Sequence, residues 1–379
     1  MNPERIDELL EAVRGVSVLV VGDLMLDRYI SGHVDRVSPE APVPVVRVES
    51  TRSAVGGAGN VAANVTALGA RCQLVGCTGD DAAADQLTAA LAELGVSTDG
   101  VVRALDRPTS EKTRVLARQQ QVVRFDVESE ADVSEATAAS LVARLQAFAA
   151  QADVIVVEDY NKGVLVPAVI AAARQCAMSH DLPLVVDPKR RSFFAYEGAT
   201  LFKPNANELR DALGDFVYAD DPDWMESTRA RLGCANLLVT LGERGMALRT
   251  AKGESVRIPA AALGVYDVSG AGDTVTAVVA LVLAAGGSAT EAAILANHAA
   301  AVEVGKAGVS TVTPDELRQR LKQHRGDRPP RRAAPTETSL PQISFGFPYD
   351  TVCDLVRMLT GFDIRAELVR RRPDVVLVD

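Results

Sequence analysis

Short apolar runs of strand length recur along the chain at residues 16–22, 72–77, 154–157, 184–187, 201–203 and 237–240. Between most of them lie alanine-rich stretches long enough for a helix, at 60–68, 82–94, 136–149, 167–178 and 207–213. Runs of Val, Ile and Leu without polar alternation belong in strands buried on both faces, and a strand, helix, strand order returns the chain in parallel. The pattern therefore predicts an α/β fold of three layers, a central and mainly parallel sheet with helices on both sides. Sheets of this kind bind ligands beyond the carboxyl ends of their strands. The polar groups that follow the runs, Gly22-Asp23, Glu158-Asp159, Asp187-Pro188-Lys189, Lys203-Pro204-Asn205 and Thr240-Leu241-Gly242, should then converge on one rim.

Two stretches interrupt the alternation. Residues 29–53 and 110–126 carry period-2 patterns (VPVVRVES; EKTRVLAR, then QVVRFDV) with no adjoining helix, as antiparallel ribbons do. They predict a small separate β-sheet, either a lid that covers a substrate and excludes water or a pair of surface hairpins.

The segment DVSGAGDT, 267–274, opens an apolar helix-like run with small residues. With Gly270, Ala271 and Gly272 lacking bulk, backbone N–H groups can converge on an anion at a helix N-terminus, where unpaired donors and the helix dipole favour negative charge. Asp273 is poorly suited to bind phosphate there but well placed to take a proton from an attacking hydroxyl. A capped glycine turn is the structural alternative. In VVGDLMLDRY, Asp23 and Asp27 could accept hydrogen bonds from sugar hydroxyls or serve as a turn and a cap. The GGAGN segment sets Gly56 and Gly57 where a ligand can approach the backbone, and Asn60 opens the next helix. It is no dinucleotide fingerprint, because the glycines do not directly follow the first strand. In KPNANEL, Asn205 and Glu208 share one face of a helix start, fit either for a hydrated Mg²⁺ or for a capping box.

A net charge of −10 argues against nucleic acid or a membrane surface as partner, since both require a basic face, so any anionic substrate must be held locally. No apolar run is long enough to span a bilayer and the N-terminus is charged and amphipathic, which together predict a cytoplasmic protein. The five cysteines form no CxxC pair and read as core or incidental thiols.

Taken together, the glycine pair with Asn60, the PNANE segment and DVSGAGDT, in this order and spacing, resemble the ribokinase family of sugar kinases (phosphofructokinase-B type) from about residue 18 to 314. Within that family the chain is most similar to the heptose 7-phosphate kinases. The segments that carry this are RVSPEAPVPVV (36–46), TSEKTRVLARQQQVVRFD (109–126), EDYNKG (158–163), DPK (187–189) and VYDVSGAGDT. The resemblance implies a ribokinase-like fold with a β-sheet lid and ATP-dependent transfer of a phosphoryl group to the C1 hydroxyl of the heptose phosphate. Asp273 would be the base, and the backbone of Gly270 to Gly272 would stabilise charge on the moving group. Asp23, Asp27, Gly56, Gly57, Asn60 and Asp159 would line the sugar. Glu208 and Asn205 would act on Mg²⁺ and the nucleotide phosphates; Thr240, Gly242, Gly245 and Asn297 would border ATP. A monovalent cation beside the anion hole stays open.

The sugar's own phosphate needs cations, and Lys112, Arg114, Arg124, Lys162 and Lys189 offer them, with Lys112, Arg114 and Lys189 favoured. Val268, Gly59 and Glu158 depart from commoner family residues, but none removes a proton acceptor or an anion-hole donor. Relatives often continue into a nucleotidyltransferase domain with an HxGH-type signature; here the four histidines are scattered, and only the kinase half-reaction is expected. The expected organisation is a kinase domain over 1–320, a Pro- and Arg-rich linker over 321–342 and a short extension over 343–379 of unassigned role. Exposed lid edges favour a homodimer. The alternatives are a kinase for another sugar, sugar phosphate or nucleoside, and a non-catalytic sugar-phosphate sensor.

Overall fold

The computed structural model describes residues 1–326, apart from 119, 263–265 and 307, together with the short strands Gln342–Ile343 and Val376–Leu377. The chain forms two compact units, Met1–Gly326 and Asp327–Asp379. In the second, Gln342–Ile343 pairs in parallel with Val376–Leu377. The rest of the expected extension over 343–379, and the linker beyond residue 326, lie outside the described residues.

The first unit opens with α1 (Pro3–Ala12), capped by the Asn2 side chain, which accepts from the Arg5 N–H at 2.8 Å, and enters the sheet at β1 (Ser17–Gly22). A long hairpin, β2 (Leu24–Val37) and β3 (Pro44–Gly57), then leaves the sheet and returns into α2 (Ala58–Ala67). The chain continues through β4 (Arg71–Thr78), α3 (Ala82–Glu93) and β5 (Val101–Arg103) to a second hairpin, β6 (Ser110–Ala117) and β7 (Gln120–Val127). Next come α4 (Glu135–Ala149), β8 (Val154–Glu158), α5 (Pro167–Ser179), β9 (Leu184–Asp187), β10 (Leu201–Phe202) and α6 (Ala206–Leu213). After α7 (Pro222–Leu232), strands β11 (Asn236–Thr240), β12 (Met246–Arg249) and β13 (Ser255–Ile258) finish the sheet. Helices α8 (Ala271–Ala284), α9 (Ala289–Glu303) and α10 (Pro314–Gly326) close the unit, α10 running past residue 321, where the linker was expected to begin.

The nine-stranded sheet has the order β13-β12-β11-β10-β9-β8-β1-β4-β5, parallel except for β12 and β13. Strand β1 is buried along its whole length and divides its side chains between two cores. Val18 and Val20 face the helices α1, α2, α8 and α9, while Leu19 and Val21 face α4 and α5. Burial of each such side chain is worth about 1.5–3 kcal/mol, which is why every central strand reads as a continuous apolar run. Helix α7 gave no such signal, since PDWMESTRARL buries only Met225, Thr228 and Leu232. Cys77, Cys176 and Cys234 are buried and Cys72 half-buried, all unpaired; Cys353 lies outside the described residues.

The second sheet has the order β3-β2-β6-β7. Each hairpin is antiparallel as its pattern predicted, but the seam between them, β2 against β6, is parallel. The lid also begins earlier than expected, at Leu24, and ends at Gly57, so Asp27, Gly56 and Gly57 are lid-strand residues. Its two hinges meet where the Ala58 N–H donates to the Asp23 carbonyl at 3.0 Å.

Gly22 ends β1 against β8, where a Cβ would lie 2.1 Å from the Glu158 carbonyl oxygen. Gly22→Ala must therefore push β1 and β8 apart directly beneath the rim. It is expected to cost about 1–3 kcal/mol, read as a fall of several degrees in Tm, with kcat reduced as well; an unchanged Tm would refute the close packing.

Candidate active site

Strands β8, β9 and β10 end in step: Glu158 pairs with Asp187, and Lys203 follows Phe202, whose partner is Val186. Side chains alternate along a strand, so Glu158, Asp187 and Lys203 all point to the face that α8 covers. Lys203 Nζ lies 2.8 Å from Asp187 Oδ2, and both side chains are almost fully buried. Glu158 is 0% exposed, and neither of its oxygens nor Asp187 Oδ1 meets a donor. Burial, with Asp187 and Asp273 as neighbours, pushes the Glu158 carboxyl well above its usual range. Burial thus favours the protonated form of Glu158, which can donate to the neighbouring Asp187.

Above this row stands the N-terminus of α8. Gly270 caps it at φ 92°, and a Cβ there would lie 2.8 Å from Asn60 Nδ2, so glycine is required on both counts. In the first turn of α8 the Ala271 N–H donates to the Val268 carbonyl at 3.4 Å, and Lys203 Nζ lies 3.7 Å from where a Gly272 Cβ would be. Asp273 Oδ2 accepts from Asn60 Nδ2 and Oδ1 from the Tyr160 hydroxyl, both at 2.7 Å. Burial pushes the Asp273 pKa up to about 6, against the lowering effect of these two hydrogen bonds. A buried carboxylate that is ionised at neutral pH but close to titrating is a competent base.

The other expected sugar residues have distinct partners. Asp23 accepts from the N–H groups of Tyr160, Lys162 and Val164, at 2.7, 3.0 and 3.2 Å, and so ties the 160–164 loop to the end of β1. Asp159 accepts from the Tyr196 hydroxyl and the Asn161 N–H, both at 2.8 Å. Asp27 is paired with Arg114 on the lid, and the absent side chain of Gly56 leaves room for its carboxylate. Lys162 is paired with Glu128 and Glu130, and Arg124 with Asp126. Lys112 differs: among the described residues it makes no ion pair, its Nζ lying 3.4 Å from Met25 Sδ and 5.6 Å from the centre of the Tyr160 ring. Burial lowers its pKa.

On the far side of the rim the capping box forms. Asn205 Oδ1 accepts from the N–H of Asn207 and of Glu208, while Glu208 Oε2 accepts from the Asn205 N–H at 2.8 Å. Glu208 Oε1 is paired with Lys189, whose Nζ also lies 4.9 Å from the Tyr160 ring centre. Thr240 bridges to Asn205. Gly242 opens a 3-10 turn that ends at Gly245, which is packed against the Ile258 carbonyl and Ala260; Asn297 donates to the Pro259 carbonyl at 2.9 Å. Gly245 and Asn297 therefore both meet the turn that leaves β13.

Sequence reasoning missed Tyr160, although it lies inside the EDYNKG segment, and missed Tyr29, whose ring is flanked by Arg52 and Arg114 at 4.8 and 5.3 Å. It also missed Glu303, fully buried on α9 behind Gly270, whose pKa is driven up to about 8 by burial and then by Asp273 and Asp267. Nothing local in AAAVEVGK marks it, since its surroundings come from segments distant in sequence.

A carboxyl with a folded pKa above its unfolded one withdraws stability as pH rises from the unfolded value, near 4.5, to the folded one, near 8. Glu303→Gln is therefore expected to match the parent in Tm near pH 5 and to exceed it by a few degrees at pH 8, measured by thermal melts across that range. A difference independent of pH would overturn the assignment.

The sequence model of the pfkB family carbohydrate kinases matches residues 16–316. The chain is 47% identical over 315 residues to the bifunctional protein HldE of Caulobacter sp. (strain K31), covering 82% of this chain and 64% of that protein. It is 48% identical over 308 residues to the bifunctional protein HldE of Azorhizobium caulinodans, covering 80% and 64%. It thus spans about 64% of the length of these relatives. Arabidopsis thaliana ribokinase complexed with ribose and ATP superposes with a TM-score of 0.64 at 21% identity, over 81% of this chain and 99% of that one. Escherichia coli phosphofructokinase-2 in complex with potassium does so with a TM-score of 0.68 at 17% identity, over 81% and 99%. The fold is ribokinase-like, and the family match extends through the lid, the strand-end row and the α8 N-terminus: the chain belongs to the pfkB family of carbohydrate kinases.

Proposed function

We propose that the chain transfers the γ-phosphoryl group of ATP to the C1 hydroxyl of D-glycero-D-manno-heptose 7-phosphate, giving the 1,7-bisphosphate for ADP-heptose biosynthesis in the cytoplasm. The observation that carries the phosphorylated acceptor is Lys112, a half-buried ammonium on lid strand β6 with no ion pair among the described residues. A desolvated cation of this kind is stabilised by an anion that arrives with the substrate. Arg114 and Arg52, stacked on Tyr29, extend the basic surface on the lid. The likeness to the HldE proteins supports a heptose as the sugar.

In this reading Asp273 takes the proton from the C1 hydroxyl as its oxygen attacks the γ-phosphorus, and the ADP oxygen leaves in line. The N–H groups of the first turn of α8 stabilise charge on the transferred group. The residues present fit a magnesium ion held through water, because both Glu208 oxygens are already bonded and Asn205 is occupied by its cap. Glu208 would hold that ion, which when bound neutralises charge on the nucleotide phosphates.

Asp273→Asn should lower kcat by about 10²–10⁴-fold with ATP and sugar binding largely retained; near-normal kcat would remove the base assignment. In a panel of heptose 7-phosphate, fructose 6-phosphate and ribose, the heptose phosphate should give the highest kcat/KM, and Lys112→Ala should narrow its lead by raising its KM. A preference for ribose would favour another sugar, and absence of ATP consumption with every acceptor would favour a sensor.

We further propose a homodimer formed through the lids. Val123, Phe125 and Val127 alternate along β7, so they share one face, and each is about half exposed. Phe125→Asp should convert a dimer to a monomer in light scattering; a parent that is already monomeric would refute this.

A further inference from the structure

We propose that Tyr160 is a positioning residue of the phosphoryl transfer, its hydroxyl fixing the Asp273 carboxylate. The proposal rests on the reading of Asp273 as the base.

The backbone of Tyr160 is itself held, because its N–H donates to the buried Asp23 at 2.7 Å. From there the side chain extends so that its hydroxyl donates to Asp273 Oδ1 at 2.7 Å. Burial, then Asp273 and Glu158, push the phenol pKa well above its usual value, so the group keeps its proton and stays a donor. Asn60 holds the other oxygen. Each carboxylate oxygen has two lone pairs, so both still have one free for the acceptor hydroxyl: Tyr160 and Asn60 orient the base without capping it. Lys112 lies 5.6 Å from the ring centre and Lys189 4.9 Å. The ring thus gives both cations a π surface.

Asp273 is faced by Tyr160 and Glu158 from β8 and the loop after it, Asp187 from β9, Lys203 from β10, Asn60 from α2 and Glu303 from α9. The Tyr160 hydrogen bond lowers the Asp273 pKa, so its loss must raise that pKa. The decisive variant is Tyr160→Phe, which keeps the ring and removes the hydroxyl. The acid limb of the kcat–pH profile should move up by about one unit, since a hydrogen bond to a charged group has that order of strength. At pH 6 kcat should fall severalfold to about tenfold and largely recover by pH 8–9, while KM for the sugar phosphate stays within about twofold. Tyr160→Ala, checked for folding by its thermal melt, should add a rise in that KM.

An acid limb that does not move in Tyr160→Phe, or a loss equal at every pH, overturns the positioning role. Asp273→Asn, assayed alongside, separates the two readings: if it is active, the base assignment itself fails. If it is inactive while Tyr160→Phe behaves as the parent, only the role of Tyr160 fails.

Discussion

The cost of burying charge at the end of a parallel sheet governs this molecule. Glu158, Asp187 and Asp273 bring oxygens within 4.8 Å of one another, and Lys203 is paired with Asp187 in their midst. Three ionised carboxylates could not share that space with one ammonium, because desolvation and mutual repulsion would each cost several kcal/mol. Burial favours the protonated form of Glu158, which relieves the conflict, and pushes the Asp273 pKa up to about 6. Its reactivity is therefore a property of three strands in register and one helix terminus, not of the DVSGAGDT segment alone.

Beneath the lid a second arrangement repeats. Two tyrosines each have two cations close to the ring, Tyr29 with Arg52 and Arg114, and Tyr160 with Lys112 and Lys189. Of these cations, Arg114 is also paired with Asp27 and Lys189 with Glu208, whereas Lys112 has the Tyr160 ring and no ion pair among the described residues. Where carboxylates are present, as for Lys162 and Arg124, the cation is bound to the protein's own acids. Under the proposed function, the sugar's phosphate would meet Lys112, which has no ion pair among the described residues.

Much of the fold was legible because burial on both faces leaves an unmistakable mark: the runs at 154–157 and 184–187 became β8 and β9 almost unchanged. The lid was legible as a small separate sheet but not in its internal pairing, since the parallel seam between β2 and β6 joins segments far apart in sequence. The same limit applied at the site. Asp273, Asn60 and Glu208 stood in recognisable local patterns, yet that Asn60 would bond Asp273, or that Glu208 would engage Lys189, depends on contacts between distant segments. Asp23 shows the opposite case: its position at a strand end was readable, but three backbone N–H groups of a loop over a hundred residues later determine what it does.

The place where the lid leaves the sheet has a further consequence. The hairpin departs at Leu24 and returns at Gly57, with Asp23 and Ala58 clasped at its base. Asp273, Asn60, Tyr160 and Lys203 thus belong to the rigid body of the sheet and helices, whereas Asp27, Arg52, Lys112 and Arg114 all belong to two hairpins. Such a division makes the scaffold evolvable by halves. Under the proposed function, the appetite for a new acceptor could be rewritten on the hairpins, residue by residue, while the residues assigned to phosphoryl transfer are inherited intact.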